Sequence, residues 1–119
     1  MDMKQKLEQV AKEDGRYSAQ AFLFVYEGLG HTIETVGEEP QHVSGQSLCD
    51  GLRKLAVQKW GRLAKLVLNK WGINNTRDFG EIVYLMIEHK WMSAQPADSV
   101  DDFNDVYDFE DVFKKRFEF

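Results

Sequence analysis

The chain has 119 residues, 43% of them hydrophobic and 13% aromatic, with a formal net charge of −5 and a sequence pI near 5.2. This length and composition predict one domain with a hydrophobic core and exclude a chain that is disordered overall. The acidic pI argues against a protein that coats DNA, and the only cysteine, Cys49, excludes an internal disulfide. We find no signal peptide and no stretch near the roughly 20 apolar residues of a membrane span, so we expect a cytoplasmic protein.

The first part of the chain predicts two helices and a loop. Residues 1–15 form an N-terminal helix with a thin apolar stripe, which Asp14-Gly15 ends. Ser18 caps a second helix, apolar almost all round towards Leu29, which is typical of a buried central helix. Gly28 and Gly30 weaken the end of this helix, and a polar loop follows from Gly37 to Gly45.

The middle of the chain predicts a long helical stretch with an interruption. Ser44 caps its start, and Gly72 stands at the position favoured for a helix C-terminus. Gly61 lies inside the stretch, so we expect two shorter helices or one kinked helix. The inward positions are predicted to be Leu48, Leu52, Leu55, Ala56, Trp60, Leu63, Ala64, Val67 and Trp71.

The last part predicts one further long helix and an acidic, aromatic segment. Asp78 and Glu81 resemble a capping box, and Gln95-Pro96 breaks the helix that follows, with inward positions at Phe79, Ile82, Val83, Met86 and Trp91. Residues 97–119 predict two short helices, near 99–104 and 108–116, the second with Lys114, Lys115 and Arg116 in its last turn. The predicted fold is mainly α: a compact single-domain bundle of about five to six short helices, with segment 97–119 packed on it.

The basic residues are unevenly distributed. The span Gly51 to Arg77, which we name the basic segment, carries seven basic residues and no acidic one, while the rest of the chain has a net charge of −12. One explanation is internal, in which the C-terminal segment packs across these helices through Phe103, Tyr107, Phe109 and Phe113. The other is external, a polyanion or acidic protein bound by a shared basic face. The candidate polyanion-binding residues are Lys54, Arg62, Lys65, Lys70 and Arg77.

Three Lys-Trp dipeptides, ending at Trp60, Trp71 and Trp91, invite a nucleic-acid interpretation, in which the indoles stack on bases. The simpler interpretation is that Trp60 and Trp71 continue the apolar stripe and that their lysines are solvated neighbours. We favour the second, because amphipathic helices routinely show this pattern.

No pattern of catalytic or metal-ligating residues stands out. His31, His42 and His89 share no ligand spacing with one another or with Cys49, which we expect to be buried and inert, although a spatial Cys-His pair stays open. The aspartates near 101–108 lack the spacing of a calcium loop and are better explained as charges at helix N-termini. We expect no cofactor.

Several stretches distributed over nearly the whole chain resemble an uncharacterised conserved hypothetical protein family of Verrucomicrobia and Planctomycetes. They are Arg16-Tyr17, Ala21 to Val25, His42 to Gly45, Trp71 to Ile73, Thr76 with Asp78 to Val83, and Val106 to Phe109. The chain departs from the family pattern at Ser47, where Glu is usual, so only half of a capping box with Ser44 is expected. The resemblance implies a bacterial cytoplasmic domain and brings no activity with it.

These observations favour a small protein-interaction or adaptor domain without catalytic activity, with an unknown protein as its partner. The alternative is a nucleic-acid-binding module that uses the basic segment, with a helix-turn-helix-like arrangement about the turn from Gly72 to Asn75. An enzyme ranks third.

Overall fold

The described part of the chain is built from helices and the turns that join them. The computed structural model describes residues 3–36, 44–89 and 100–113. These residues contain six α-helices, two 3-10 turns and no strand, which confirms the predicted all-α single domain. The α-helices are α1 (Met3–Asp14), α2 (Ala19–Val36), α3 (Gly45–Trp60), α4 (Ala64–Lys70), α5 (Thr76–Glu88) and α6 (Phe109–Phe113), and the 3-10 turns are Gly61–Leu63 and Val100–Phe103.

The core lies where α1, α2, α3 and α5 meet. Most of its largest fully buried side chains are apolar, and each described α-helix contributes at least one of them. They include Leu7, Phe22, Val25, Leu52, Leu68, Ile73, Phe79, Ile82, Met86 and Phe113. The predicted inward face of α5 is confirmed for Phe79, Ile82, Val83 and Met86, which are all buried.

Helix α2 differs from the prediction at both ends. Its last described residue is Val36, so the glycines do not end it. A side chain at Gly28 would collide with Leu52, so this glycine allows α2 and α3 to pack closely. At the other end, Ser18 contributes its carbonyl to Ala21 N–H, but its buried hydroxyl has no hydrogen-bond partner among the described residues. The prediction of a Ser18 side-chain cap is therefore wrong.

The boundaries of the central helices follow the predicted residues. Ser44 accepts a hydrogen bond from Ser47 N–H at 3.1 Å and caps α3. Gly61, with φ of 54°, separates α3 from α4 through a 3-10 turn, and Gly72, with φ of 94°, ends α4. Left-handed backbone of this kind favours glycine.

The capping box predicted at Asp78 is wrong by one turn. Asn75 caps α5, because its side chain accepts a hydrogen bond from Asp78 N–H at 3.0 Å. The Asp78 carboxylate accepts from Asn74 N–H at 2.8 Å and from the Tyr17 hydroxyl at 2.6 Å. Asp78 therefore stands in the first turn of α5, where its charge suits the helix dipole.

Some predicted features lie outside the described residues. They are most of the loop from Gly37 to Gly45 with His42, the inward Trp91, the Gln95-Pro96 break and the cationic last turn at Lys114 to Arg116.

Residues 100–113, which we name the arm, pack against α3, α4 and α5. The arm begins with the 3-10 turn Val100–Phe103 and ends in α6. Its first anchor is Phe103, which is buried over the backbone of Gly80 in α5 and Gly45 in α3. A β-carbon at Gly80 would stand 2.7–2.8 Å from Phe103 carbons, so this glycine provides the space in which the ring lies.

We expect Gly80→Ala to lower the free energy of unfolding by about 1–3 kcal/mol, because the new methyl group displaces the Phe103 ring. Urea denaturation followed by circular dichroism measures the change. The matched control is Gly30→Ala in α2, where a β-carbon meets nothing within 4 Å. Alanine there is expected to raise stability by up to about 1 kcal/mol through helix propensity. A Gly80→Ala protein as stable as the Gly30→Ala protein would contradict this description of the contact.

Candidate interaction surface

Aromatic side chains anchor the arm along its whole described length. Phe109 and Phe113 are buried, with ring centroids 5.1 Å apart and nearly perpendicular planes. Phe109 also lies 5.7 Å from Phe79 of α5, and Tyr107 lies 6.1 Å from Phe109. Since burial of a large aromatic stabilises by roughly 2–3 kcal/mol, this apolar contact outweighs any ion pair along the arm.

Hydrogen bonds to the backbone fix the position of the arm. The buried hydroxyl of Thr76 donates to the Phe103 carbonyl at 2.6 Å and accepts from Val106 N–H at 3.1 Å. The Tyr107 hydroxyl donates to the Cys49 carbonyl at 2.6 Å. One threonine at the start of α5 thus holds two points of the arm, while Tyr107 ties it to α3.

Two residues of the basic segment form ion pairs with the arm. Lys65 of α4 lies 2.6 Å from the Glu110 carboxylate, and Arg77 of α5 lies 2.8 Å from the Asp101 carboxylate. Arg77 also contacts Glu81 at 2.9 Å and donates to the Asn104 side chain at 3.0 Å. These side chains are partly exposed, so each pair contributes only about 0–1 kcal/mol.

Three more basic residues of the segment have acidic neighbours elsewhere. Arg53 and Lys54 share Asp50, one turn earlier on α3, at 3.0 and 3.1 Å. Burial opposes ionisation of Asp50, but the hydrogen bonds from Arg53 and Lys54 outweigh it and lower the pKa of this carboxyl. Lys59 lies 3.2 Å from Glu27 of α2. Of the candidate polyanion-binding residues, Lys54, Lys65 and Arg77 are therefore already paired with carboxylates.

The other two candidates, Arg62 and Lys70, are exposed and form no ion pair with any residue that the structure describes. They flank the two most exposed leucines among the described residues, Leu63 and Leu66, with relative accessibilities of 58% and 67%. We name Arg62, Leu63, Leu66 and Lys70 the α4 patch.

The exposure of Leu63 contradicts the sequence prediction, which placed it in the inward stripe. The stripe assumes one continuous helical rotation, but the left-handed Gly61 and the 3-10 turn change the rotation between α3 and α4. The buried positions of α4 become Ala64 and Leu68, one turn apart. Leu63 and Leu66 then point to the outside, and the sequence signal for this was the glycine that predicted the kink.

The tryptophans of the first two Lys-Trp dipeptides pack on one another. The rings of Trp60 and Trp71 are 5.3 Å apart and nearly perpendicular, and Phe24 of α2 lies 5.2 Å from Trp60 and 6.1 Å from Trp71. These indoles are half-buried partners in a cluster that joins α2 to the two ends of the α4 region. This packing agrees with the interpretation of Trp60 and Trp71 as continuations of the apolar stripe.

The Cys49 thiol is completely buried. Burial, and to a smaller extent the charge of Asp50, raises the pKa of this thiol to about 12, so its nucleophilic thiolate is scarce at neutral pH. The described residues contain no group of three or more histidine, cysteine or acidic side chains that could hold a metal ion. An open groove lies between Arg16, Glu81, Tyr84 and the end of α5.

No family model, curated protein or solved structure matches the chain. The resemblance to the bacterial hypothetical family therefore stays a prediction. Among the described helices, none combines the length and the apolar character that a membrane crossing requires.

The buried Cys49 beneath the arm and the partly buried Tyr107 of the arm predict a loss of stability at alkaline pH. Burial raises the pKa of Cys49 to about 12 and holds the pKa of Tyr107 well above its usual value. Below the pKa values that these groups have in the unfolded chain, roughly 8.5 for cysteine and 10 for tyrosine, both groups are neutral in both states and their contribution to stability is fully present. As the pH rises above each value, stability falls by about 1.4 kcal/mol per pH unit for each group.

Urea denaturation between pH 8 and pH 11 tests this prediction. We expect Cys49→Ala to remove the part of the decline that lies between about pH 8.5 and 10. The small cavity left by the substitution lowers the free energy of unfolding by the same amount at every pH, so it does not change the slope. An unchanged slope over that interval in the variant would show that the thiol does not stabilise the fold in its neutral form.

Proposed function

We propose that this chain is a small cytoplasmic protein-interaction or adaptor domain that acts without catalysis of its own. The observation that carries the proposal is the α4 patch, where two adjacent leucines are exposed beside two cations with no described ionic partner. Apolar surface rimmed by charge is typical of sites at which one protein binds another.

The rest of the basic segment supports the same proposal. Five of its seven basic residues lie beside carboxylates of this chain, so the charge block acts largely within the fold. The arm provides two of those carboxylates, Asp101 and Glu110. What remains for a partner is a small mixed surface rather than a broad cationic face.

The proposal predicts that affinity capture from the native cells recovers a protein in roughly equal amount with the chain, before and after nuclease treatment. The contact should survive moderate salt, because apolar burial does not depend on ionic strength. Quantitative mass spectrometry measures the ratio. Capture that yields no stoichiometric protein at any salt concentration would contradict the proposed function.

A nucleic-acid-binding module is the second candidate, favoured by the free cations Arg62 and Lys70 on the described surface. The geometry of α5 weakens a helix-turn-helix version. In such an arrangement α5, the helix after the turn, would lie in the major groove of DNA. Its only lysine or arginine is Arg77, which is paired with Glu81 and Asp101. Carboxylates on a recognition helix repel the phosphate backbone.

The second candidate predicts retention on heparin resin at low salt, lost in Arg62→Glu/Lys70→Glu. Its matched control, Lys54→Glu/Lys65→Glu, makes the same change in net charge at sites already paired with Asp50 and Glu110. A specific polyanion site at Arg62 and Lys70 requires the first variant to lose more retention than the control. Wild-type protein that passes through the resin at low salt eliminates this candidate.

A further inference from the structure

We infer that the α4 patch binds an acidic amphipathic helix of the partner protein. The inference rests on the proposed function and adds to it the location of the site and the chemistry of its ligand. It begins from the spacing of the patch along the chain. Leu66 and Lys70 are four residues apart on α4 and therefore share one side of this helix, and Arg62 and Leu63 stand in the 3-10 turn that leads into it. The patch thus has an apolar centre and a cation at each end.

Charge identifies the class of occupant. A helix whose apolar stripe covers the two leucines brings its flanking residues to Arg62 and Lys70, and acidic residues there would complete ion pairs that the described chain leaves unmade. A second copy that docked the same patch on itself would bring four cations together around the contact. Like charges at such distances disfavour the association.

The arm shows that α4 accepts a ligand of this chemistry. Within the fold, α6 packs beside α4 and the 3-10 turn before it, burying Phe109 and Phe113 while Glu110 pairs with Lys65. The arm is an acidic and apolar segment bound to one side of α4. The α4 patch repeats the combination of apolar and cationic side chains on the side that the arm leaves exposed.

Two synthetic 18-residue peptides test the inference by titration into ¹⁵N-labelled wild-type protein. The first carries leucines at helical spacing i, i+3, i+4 and i+7 with glutamates on both flanks, and the second has the same composition with its leucines dispersed around the helix. We expect the first peptide alone to shift amide resonances concentrated at residues 59–71. Absence of shifts there at millimolar peptide, or equal binding of the dispersed peptide, overturns the inference.

Variants locate the contact. Leu63→Ser/Leu66→Ser should weaken binding of the first peptide at least about tenfold, since it removes the two exposed side chains that the bound peptide would cover. Arg62→Gln/Lys70→Gln should weaken binding and flatten its dependence on salt. The control is Tyr26→Ser, which removes a side chain that is 43% exposed on α2 and should leave the affinity unchanged. Equal losses in the control and the leucine variant would overturn the assignment.

Two further results separate this inference from the proposed function. If the protein captured from native cells is retained by Leu63→Ser/Leu66→Ser, the α4 patch is not its site, while the function as an interaction domain stands. If a single-stranded oligonucleotide shifts residues 62–70 and the acidic peptide does not, the site binds polyanions and the inference fails. Loss of the captured protein from the leucine variant, with its retention by Tyr26→Ser, supports both.

Discussion

The contact between Phe103 and the backbone of α5 is the constraint on which the C-terminal part of the structure depends. The ring occupies the space beside Gly80 and Gly45, where a β-carbon at Gly80 would collide with it and one at Gly45 would crowd it. Thr76 hydrogen-bonds the arm at the Phe103 carbonyl and, three residues later, at the Val106 amide. Further along the arm, Tyr107 donates a hydrogen bond to α3, Phe109 packs against Phe79 of α5, and Glu110 pairs with Lys65 of α4.

Five of the seven cations of the basic segment lie beside carboxylates of the same chain, so most of the segregated charge is paired within the fold. Apolar burial provides most of the free energy that holds the arm, and ion pairs at its edges contribute little each. In the packed structure, Asp101 lies beside Arg77 and Glu110 beside Lys65, so the charges agree with the position that Phe103 and Phe109 give the arm. A cationic helical face without those carboxylates would repel itself and attract polyanions indiscriminately.

The sequence predicted the helices well because apolar periodicity and the residues that begin or end helices are local signals. Ser44, Gly61 and Gly72 mark boundaries through their own backbone or side chain, so the prediction needed no tertiary contact. It failed where a residue serves packing between helices. Gly28 was interpreted as a weakness of α2, yet its missing side chain admits Leu52 of α3, which a single sequence cannot reveal.

The exposure of Leu63 in the α4 patch followed from a feature that the sequence predicted correctly, the kink at Gly61, but the exposure itself was not predicted. The kink at Gly61 was foreseen, but a kink of unknown angle does not say which residues turn outward. After the left-handed Gly61 and the 3-10 turn, α4 buries Ala64 and Leu68 and leaves Leu63, which the predicted stripe placed inward, exposed together with Leu66. The glycine thus converts part of a core stripe into exposed apolar surface, which is why the same residue shapes both the fold and the proposed site.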